Sequence, residues 1–198
     1  MIGIVFFSLF SYLLGCITFA YYLTKIFTGQ DLKGIGSGNL GAVNASRILG
    51  KKGFIISAIL DMAKGAIIVI LARYFNYSNE LIFFFMMLVT LGHIFPVQLK
   101  FKGGKGISTI GGTFIALNPL IVICFIFFVL IFYIFIRKIS IAALCSIALT
   151  PLLVFYFDYS AICILENSII IGIIIFAHRS NIKLFFNSRK KIQTEKTT

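Results

Sequence analysis

Long apolar runs separated by short polar stretches organise this 198-residue chain. The runs cover residues 2–23, 53–73, 81–99, 106–117, 120–136, 141–157 and 161–177. A helix needs about 20 apolar residues to cross the hydrocarbon core of a bilayer. Inside lipid each backbone polar group must find an internal partner, which favours helices for such runs. The pattern predicts an all-α integral membrane protein with seven transmembrane helices. The fourth run is short, and fusing it with the fifth would leave six crossings. The Asn118-Pro119 pair argues for a stop there, because the residue before proline is biased away from helix. The first run has no basic leader or small-residue cleavage site, so it reads as a retained helix and not a signal peptide.

Charge placement orients the spans. Short cytoplasmic loops collect Lys and Arg. With seven spans, the N-terminus outside and the C-terminus cytoplasmic, the inner stretches hold sixteen of the eighteen basic residues. Arg73 alone falls outside, and Lys64 lies within a span. With six spans, the Arg137–Lys138 turn and the basic tail would both face outward. Residues 1–186 read as a single multi-span domain. Residues 187–198 form a polar cytoplasmic tail that is expected to fray.

Composition agrees. Sixty per cent of residues are apolar and 12% charged, against about 25% charged in a soluble domain. The net charge of +12 could suit nucleic acid, but the charges cluster between apolar runs. Anionic lipid head groups and phosphorylated substrates fit that placement better, and no nucleic-acid partner is expected. The cysteines, Cys16, Cys124, Cys145 and Cys163, all lie in apolar runs without a CxxC pair. They read as small buried hydrophobes, and neither a metal, a cofactor nor a structural disulfide is expected.

Three inner stretches carry candidate chemistry. The first spans residues 34–47 and includes Gly36, Ser37, Gly38, Asn39, Gly41, Asn44 and Arg47. Its glycines allow close approach of backbone to ligand. Successive N–H groups can then form an anion-binding concavity. Ser37, Asn39 and Asn44 add donors, and Arg47 adds a fork suited to two phosphate oxygens. The second stretch places Gly103, Gly104 and Gly106 around Lys105, downstream of His93. It is not a P-loop, because Gly106 follows the lysine where Ser or Thr would stand. The third contains His178 and Asn181 at the end of the last run. His178 can exchange a proton near neutral pH, and a helical continuation would set Asn181 on the same face. Within the spans, Asp61 and Lys64 are spaced to form a structural salt bridge near the inner surface. Glu166 has no local partner in the sequence.

Together these stretches resemble the bacterial acyl-phosphate-dependent glycerol-3-phosphate acyltransferases, the PlsY family. The resemblance rests on GSGNLGAVN at 36–44, GHIFPVQLKFKGGKG at 92–106 and HRSNIKL at 178–184. It covers nearly the whole chain, in the same order. Ser180 stands where the family usually has Glu, and Asn187-Ser188-Arg189 where it tends to have Gly-x-Glu. Ser140 represents a serine-rich turn in which Ala143 replaces a second serine.

The resemblance implies transfer of an acyl group from acyl phosphate to the primary hydroxyl of glycerol 3-phosphate. The products would be lysophosphatidic acid and phosphate, in the first acylation of phospholipid biosynthesis. It implies a bacterial plasma membrane location with the site facing the cytoplasm. A soluble enzyme that makes acyl phosphate is the implied partner, beside membrane lipid. In direct transfer, Arg47 and Lys105 would bind phosphate, and Ser37 with the glycine amides would cradle the donor. Asn181 would orient His178, and either His178 or the donor's phosphate would take the hydroxyl proton. A Ser37 acyl-enzyme is the covalent alternative. A small anion transporter is the non-enzyme alternative. Such proteins usually place polar sites at the midplane between internal repeats, whereas here the polar clusters lie at one face and no repeat is evident.

Overall fold

A computed structural model describes the backbone of residues 2–197 and the side chains of residues 2–188. Every regular element among the described residues is helical. In chain order they are α1 (Ile2–Cys16), α2 (Phe19–Thr28), α3 (Ala42–Tyr74), α4 (Asn79–Ile94), α5 (Ile107–Leu117) and α6 (Pro119–Ile136). There follow α7 (Ile139–Ile147), α8 (Thr150–Tyr156), α9 (Ala161–Ala177) and α10 (Arg179–Thr197), with short 3-10 turns at Leu32–Gly34 and Val97–Leu99.

Four segments are long and apolar enough to cross a membrane unaided: Ala42–Tyr74, Asn79–Leu99, Pro119–Ile136 and Ile139–Tyr156. Two bent pairs, α1 with α2 at 43° and α9 with α10 at 53°, raise the number to six. α5 is apolar but only 11 residues long. The stop at 118–119 is observed. Asn118 caps α6 by accepting from the Leu120 N–H at 3.1 Å, and Pro119 takes the first helical position, where its missing N–H costs nothing.

Several boundaries differ from the apolar pattern. The first run breaks at residues 17–18. The carbonyls freed at the break do not face lipid: Lys64 Nζ donates to Gly15 O (2.9 Å) and Ile17 O (2.6 Å), and Gln98 donates to Cys16 O (2.6 Å). Such irregular backbone is tolerated at membrane depth only when protein groups satisfy it. α3 begins eleven residues before its apolar run and kinks at Gly50 (φ 65°, ψ −162°), a conformation open essentially to glycine. The tail expected to fray continues α10 to Thr197. It is rich in Arg, Lys, Gln and Glu, all good helix formers. Thr198 lies outside the described residues.

α4 is the hub, packing against α1, α3, α5 and α9. Membrane helices associate mainly by close packing, which favours small residues at crossings. α3 meets α5 in that manner: a Cβ on Gly112 would strike the Met62 carbonyl, and one on Gly65 would strike the Thr109 carbonyl. α6 instead turns Ile123, Ile126, Phe127, Leu130 and Ile134 outward, a surface suited to lipid tails. At one end of the bundle Phe7, Tyr77 and Phe85 form an aromatic cluster, with Phe7 and Phe85 centroids 4.6 Å apart. The three candidate stretches gather at the other end.

Candidate active site

The first stretch folds on itself through Asn44. Asn44 sits buried in the first turn of α3, and its Oδ1 accepts from the Ser37 N–H (3.2 Å). Its Nδ2 donates to Leu32 O (3.3 Å) and Ile35 O (2.8 Å). This knots residues 32–44 into a fixed loop and leaves Ser37 exposed, its Oγ accepting from the Asn39 N–H at 3.4 Å. Gly36 and Gly38 have positive φ (53° and 68°), as an anion-cradling turn requires. Arg47 lies one turn into α3, and its guanidinium packs over Gly36 so closely that a Cβ there would be 2.7 Å from Nη1.

The second stretch supports the first. Leu40 N–H donates to Gly103 O at 3.3 Å. Asn39, with its amide oriented as its neighbours require, donates to the same carbonyl (3.3 Å) and accepts from the Gly41 N–H (3.2 Å). Gly103 and Gly104 donate in turn to Ile94 O (3.1 Å) and His93 O (3.0 Å) at the end of α4.

The third stretch closes the arrangement. Lys105 Nζ donates to Asn181 Oδ1 at 2.6 Å. His178 Nδ1 lies 2.8 Å from Ile174 O. A carbonyl can only accept, so the proton is on Nδ1 and the Nε2 lone pair is left for a base. Gly106 packs near the Ile174 side chain, with Ile174 Cγ1 3.2 Å from the position a Cβ would take. Partial burial and the Arg179 charge hold the Lys105 ammonium below the usual lysine range. The chain therefore assembles two glycine-lined loops, two cations and a histidine of fixed tautomer at one end of the bundle. Oriented N–H groups, cations and a histidine with a free ring nitrogen suit a phosphate-bearing substrate and the charge that develops in acyl transfer.

Some expectations change. Asn181 bonds to Lys105, and His178 is held by its own helix, so the sequence-based pairing of Asn181 with His178 is not formed. Ser140 has no hydrogen bond to the cluster among the described residues. It lines a separate open crevice of about 490 Å³ with Tyr133, Arg137, Lys138 and Ile139. Asp61 and Lys64 pair at 2.9 Å as expected, but His93 joins them, with Nδ1 2.9 Å from Lys64 Nζ. The 29-residue separation of Lys64 and His93 left no local signal for that contact. Glu166 remains half-buried on α9, its Oε2 without a hydrogen-bond partner among the described residues.

The family model described as glycerol-3-phosphate acyltransferase matches residues 5–188. The chain belongs to the glycerol-3-phosphate acyltransferase family. Glycerol-3-phosphate acyltransferase 1 of Bacillus cereus is 37% identical over 169 residues, covering 85% of this chain and 93% of that protein. The acyltransferase of Macrococcus caseolyticus is 36% identical over 191 residues, covering 95% and 96%. The crystal structure of PlsY, an integral membrane glycerol 3-phosphate acyltransferase, in its glycerol 3-phosphate form superposes with a TM-score of 0.87 at 34% identity, covering 94% of each chain. Its lysophosphatidic acid form gives 0.83 at 32%. This acyltransferase is thus a multi-pass membrane enzyme, and its three glycine, lysine and histidine stretches converge within one fold.

Proposed function

We propose that this acyltransferase moves a fatty acyl group from acyl phosphate to the primary hydroxyl of glycerol 3-phosphate, in the first acylation of phospholipid biosynthesis. The hydroxyl oxygen attacks the acyl carbon, the bond from acyl carbon to phosphate oxygen breaks, and inorganic phosphate leaves. The hydroxyl proton passes to His178 Nε2. Arg47, Ser37 and the amides of residues 36–44 cradle the donor phosphate, with Gly41, Asn39 and Asn44 shaping that loop. Lys105, flanked by Gly103 and Gly104 and steadied by Asn181, binds the phosphate of glycerol 3-phosphate. Ser140 serves as a peripheral contact from the neighbouring crevice.

The observation that carries this reading is the Lys105–Asn181 hydrogen bond set one turn from a histidine whose Nδ1–H is already engaged. Acyl phosphate is an activated donor, so the reading needs no covalent acyl-enzyme. Two reactants held in line gain up to about 7–11 kcal/mol from orientation alone. An apolar groove of about 280 Å³, lined by residues including Ile141, Leu144, Ala148, Ile175 and Ile182, the residue after Asn181, suits an acyl chain.

The same reading has seven passes, with α5 as the short fourth, the N-terminus outside and the site facing the cytoplasm of a bacterial plasma membrane. α1 enters at the aromatic end and α9 leaves at the basic end, which supports an odd number of passes. Residues 1–186 act as one domain and residues 187–198 as its cytoplasmic extension. A soluble enzyme that produces acyl phosphate would meet the protein at this basic face.

Purified protein with acyl phosphate and glycerol 3-phosphate, followed by phosphate release, tests the proposal. Release that needs both substrates, with acyl-CoA inert as donor, is expected. Turnover with acyl-CoA and none with acyl phosphate would overturn the donor assignment.

A further inference from the structure

The chemistry proposed above makes no use of Asp61, Lys64 and His93, yet these three form a fully buried cluster that contains an ion pair. Their side chains are 1–3% exposed. Lys64 Nζ lies within 3 Å of four groups: it forms an ion pair with Asp61 Oδ1, and its three N–H bonds serve Gly15 O, Ile17 O and His93 Nδ1. The ammonium thus joins α3 to the α1–α2 break and to the last turn of α4. Buried charges in membrane helices mark functional elements by default, because they are costly to keep.

The cluster reaches Lys105 by two routes. His93 accepts the Gly104 N–H through its own carbonyl at 3.0 Å. Its ring also fills the space above the Gly104 Cα, where an added Cβ would overlap Nε2 and lie 2.6 Å from Cε1. Backbone and ring together fix the residue immediately before Lys105. On the far side, Gly65 directly follows Lys64 and meets Thr109 and Thr113. That crossing fixes the first turns of α5, which begins two residues after Lys105. Lys105 is therefore suspended between two anchors, both rooted in residues 61–65.

We propose that Asp61, Lys64 and His93 are positioning residues that set the Lys105 ammonium in its phosphate-binding place without touching substrate. The proposal rests on Lys105 as the glycerol 3-phosphate ligand. Its test therefore includes one readout that does not need turnover.

The variants are His93→Leu, which keeps bulk without the acceptor, His93→Asn, which keeps an acceptor near Nδ1, and the Asp61→Leu/Lys64→Met pair. Replacing both members of a buried pair by apolar groups avoids stranding one charge, but it also takes the donor away from the Gly15 and Ile17 carbonyls, so the double variant is expected to melt lower than the His93 variants. Melting in detergent checks each protein. In folded His93→Leu and the double variant, KM for glycerol 3-phosphate is expected to rise about tenfold or more, while KM for acyl phosphate stays within about twofold. His93→Asn is expected to recover part of the loss. Combination with Lys105→Ala is expected to add little, the sign of a shared interaction.

The second readout is reductive methylation of Lys105, followed by mass spectrometry. Release from its seat is expected to make Lys105 react faster in the variants than in wild type. Unchanged Lys105 reactivity in a folded variant would overturn the proposal, whatever the donor proves to be. So would equal losses for both substrates, or full additivity with Lys105→Ala. Faster Lys105 labelling in a protein that ignores acyl phosphate would support the positioning role while removing the donor assignment.

Discussion

Lys105 shows how a single side chain draws its properties from its surroundings. Burial and the neighbouring Arg179 charge lower its pKa from the usual lysine value. In the proposed role the charged form binds phosphate, so raising pH would remove the binding species, and earlier than for an exposed lysine. The expected outcome is an alkaline fall in kcat/KM for glycerol 3-phosphate that begins below the usual lysine range. Bound phosphate stabilises the ammonium, so kcat should fall later than kcat/KM. Lys105→Arg should move the fall upward, since a guanidinium stays protonated throughout. Steady-state pH profiles check this, and an unmoved fall in the arginine variant would assign it to another group. His178 gives a second test. Its Nδ1–H is held by Ile174 O, which leaves Nε2 open for the proposed role as base. His178→Ala is expected to lower kcat by about 10²–10⁴-fold with little change in either KM. A loss confined to KM would place the proton elsewhere, on the donor phosphate.

Among the elements, the α3–α5 crossing decides whether the lysine loop is held at all. Gly112 lies against the Met62 carbonyl with no room for a methyl group. Gly112→Val is expected to separate these helices, lowering the melting temperature in detergent and raising KM for glycerol 3-phosphate together. Gly111, on the same helix, has open space around it, and Gly111→Ala is expected to leave both unchanged. A Gly112 variant as stable and active as wild type would remove the crossing from the account of the site. The elements also show how far the apolar pattern could be read. The stop at Asn118-Pro119 was legible because proline acts on its immediate neighbour. The break at residues 17–18 was not, because its stabilising donors come from Lys64 and Gln98, far along the chain. The kink at Gly50 was hidden for a related reason: its flanks are helical, and only its φ of 65° marks the bend.

Over the whole molecule, polar chemistry and aromatic packing occupy opposite ends of one bundle. Lys33 belongs to the loop end, near Tyr21, where its Nζ stands 5.4 Å from the ring centroid. Asn76 lies in the turn between α3 and α4 at the aromatic end. In a cysteine-free background, Asn76→Cys is expected to react with an impermeant maleimide added to intact cells. Lys33→Cys is expected to react only after the membrane is opened. The reverse pattern would invert the proposed topology, and equal labelling would contradict a membrane-embedded arrangement of these loops.

The sequence alone determined the class of solvent and the chemistry available. Apolar runs near bilayer length form helices in lipid, and basic residues gathered in alternate loops give those runs an expected direction. The glycine loops, Lys105 and His178 were legible for a similar reason, since their residue types and order carry the chemistry within short stretches. Tertiary structure decided which of these groups meet. It gave Asn181 to Lys105 rather than His178, set Ser140 in a crevice of its own, and brought His93 to the Asp61–Lys64 pair. Each is a contact between residues far apart in sequence or a choice among several partners within reach. Such contacts depend on how helices cross, and the crossings are set by close packing at glycines, for which a linear pattern has no coordinate.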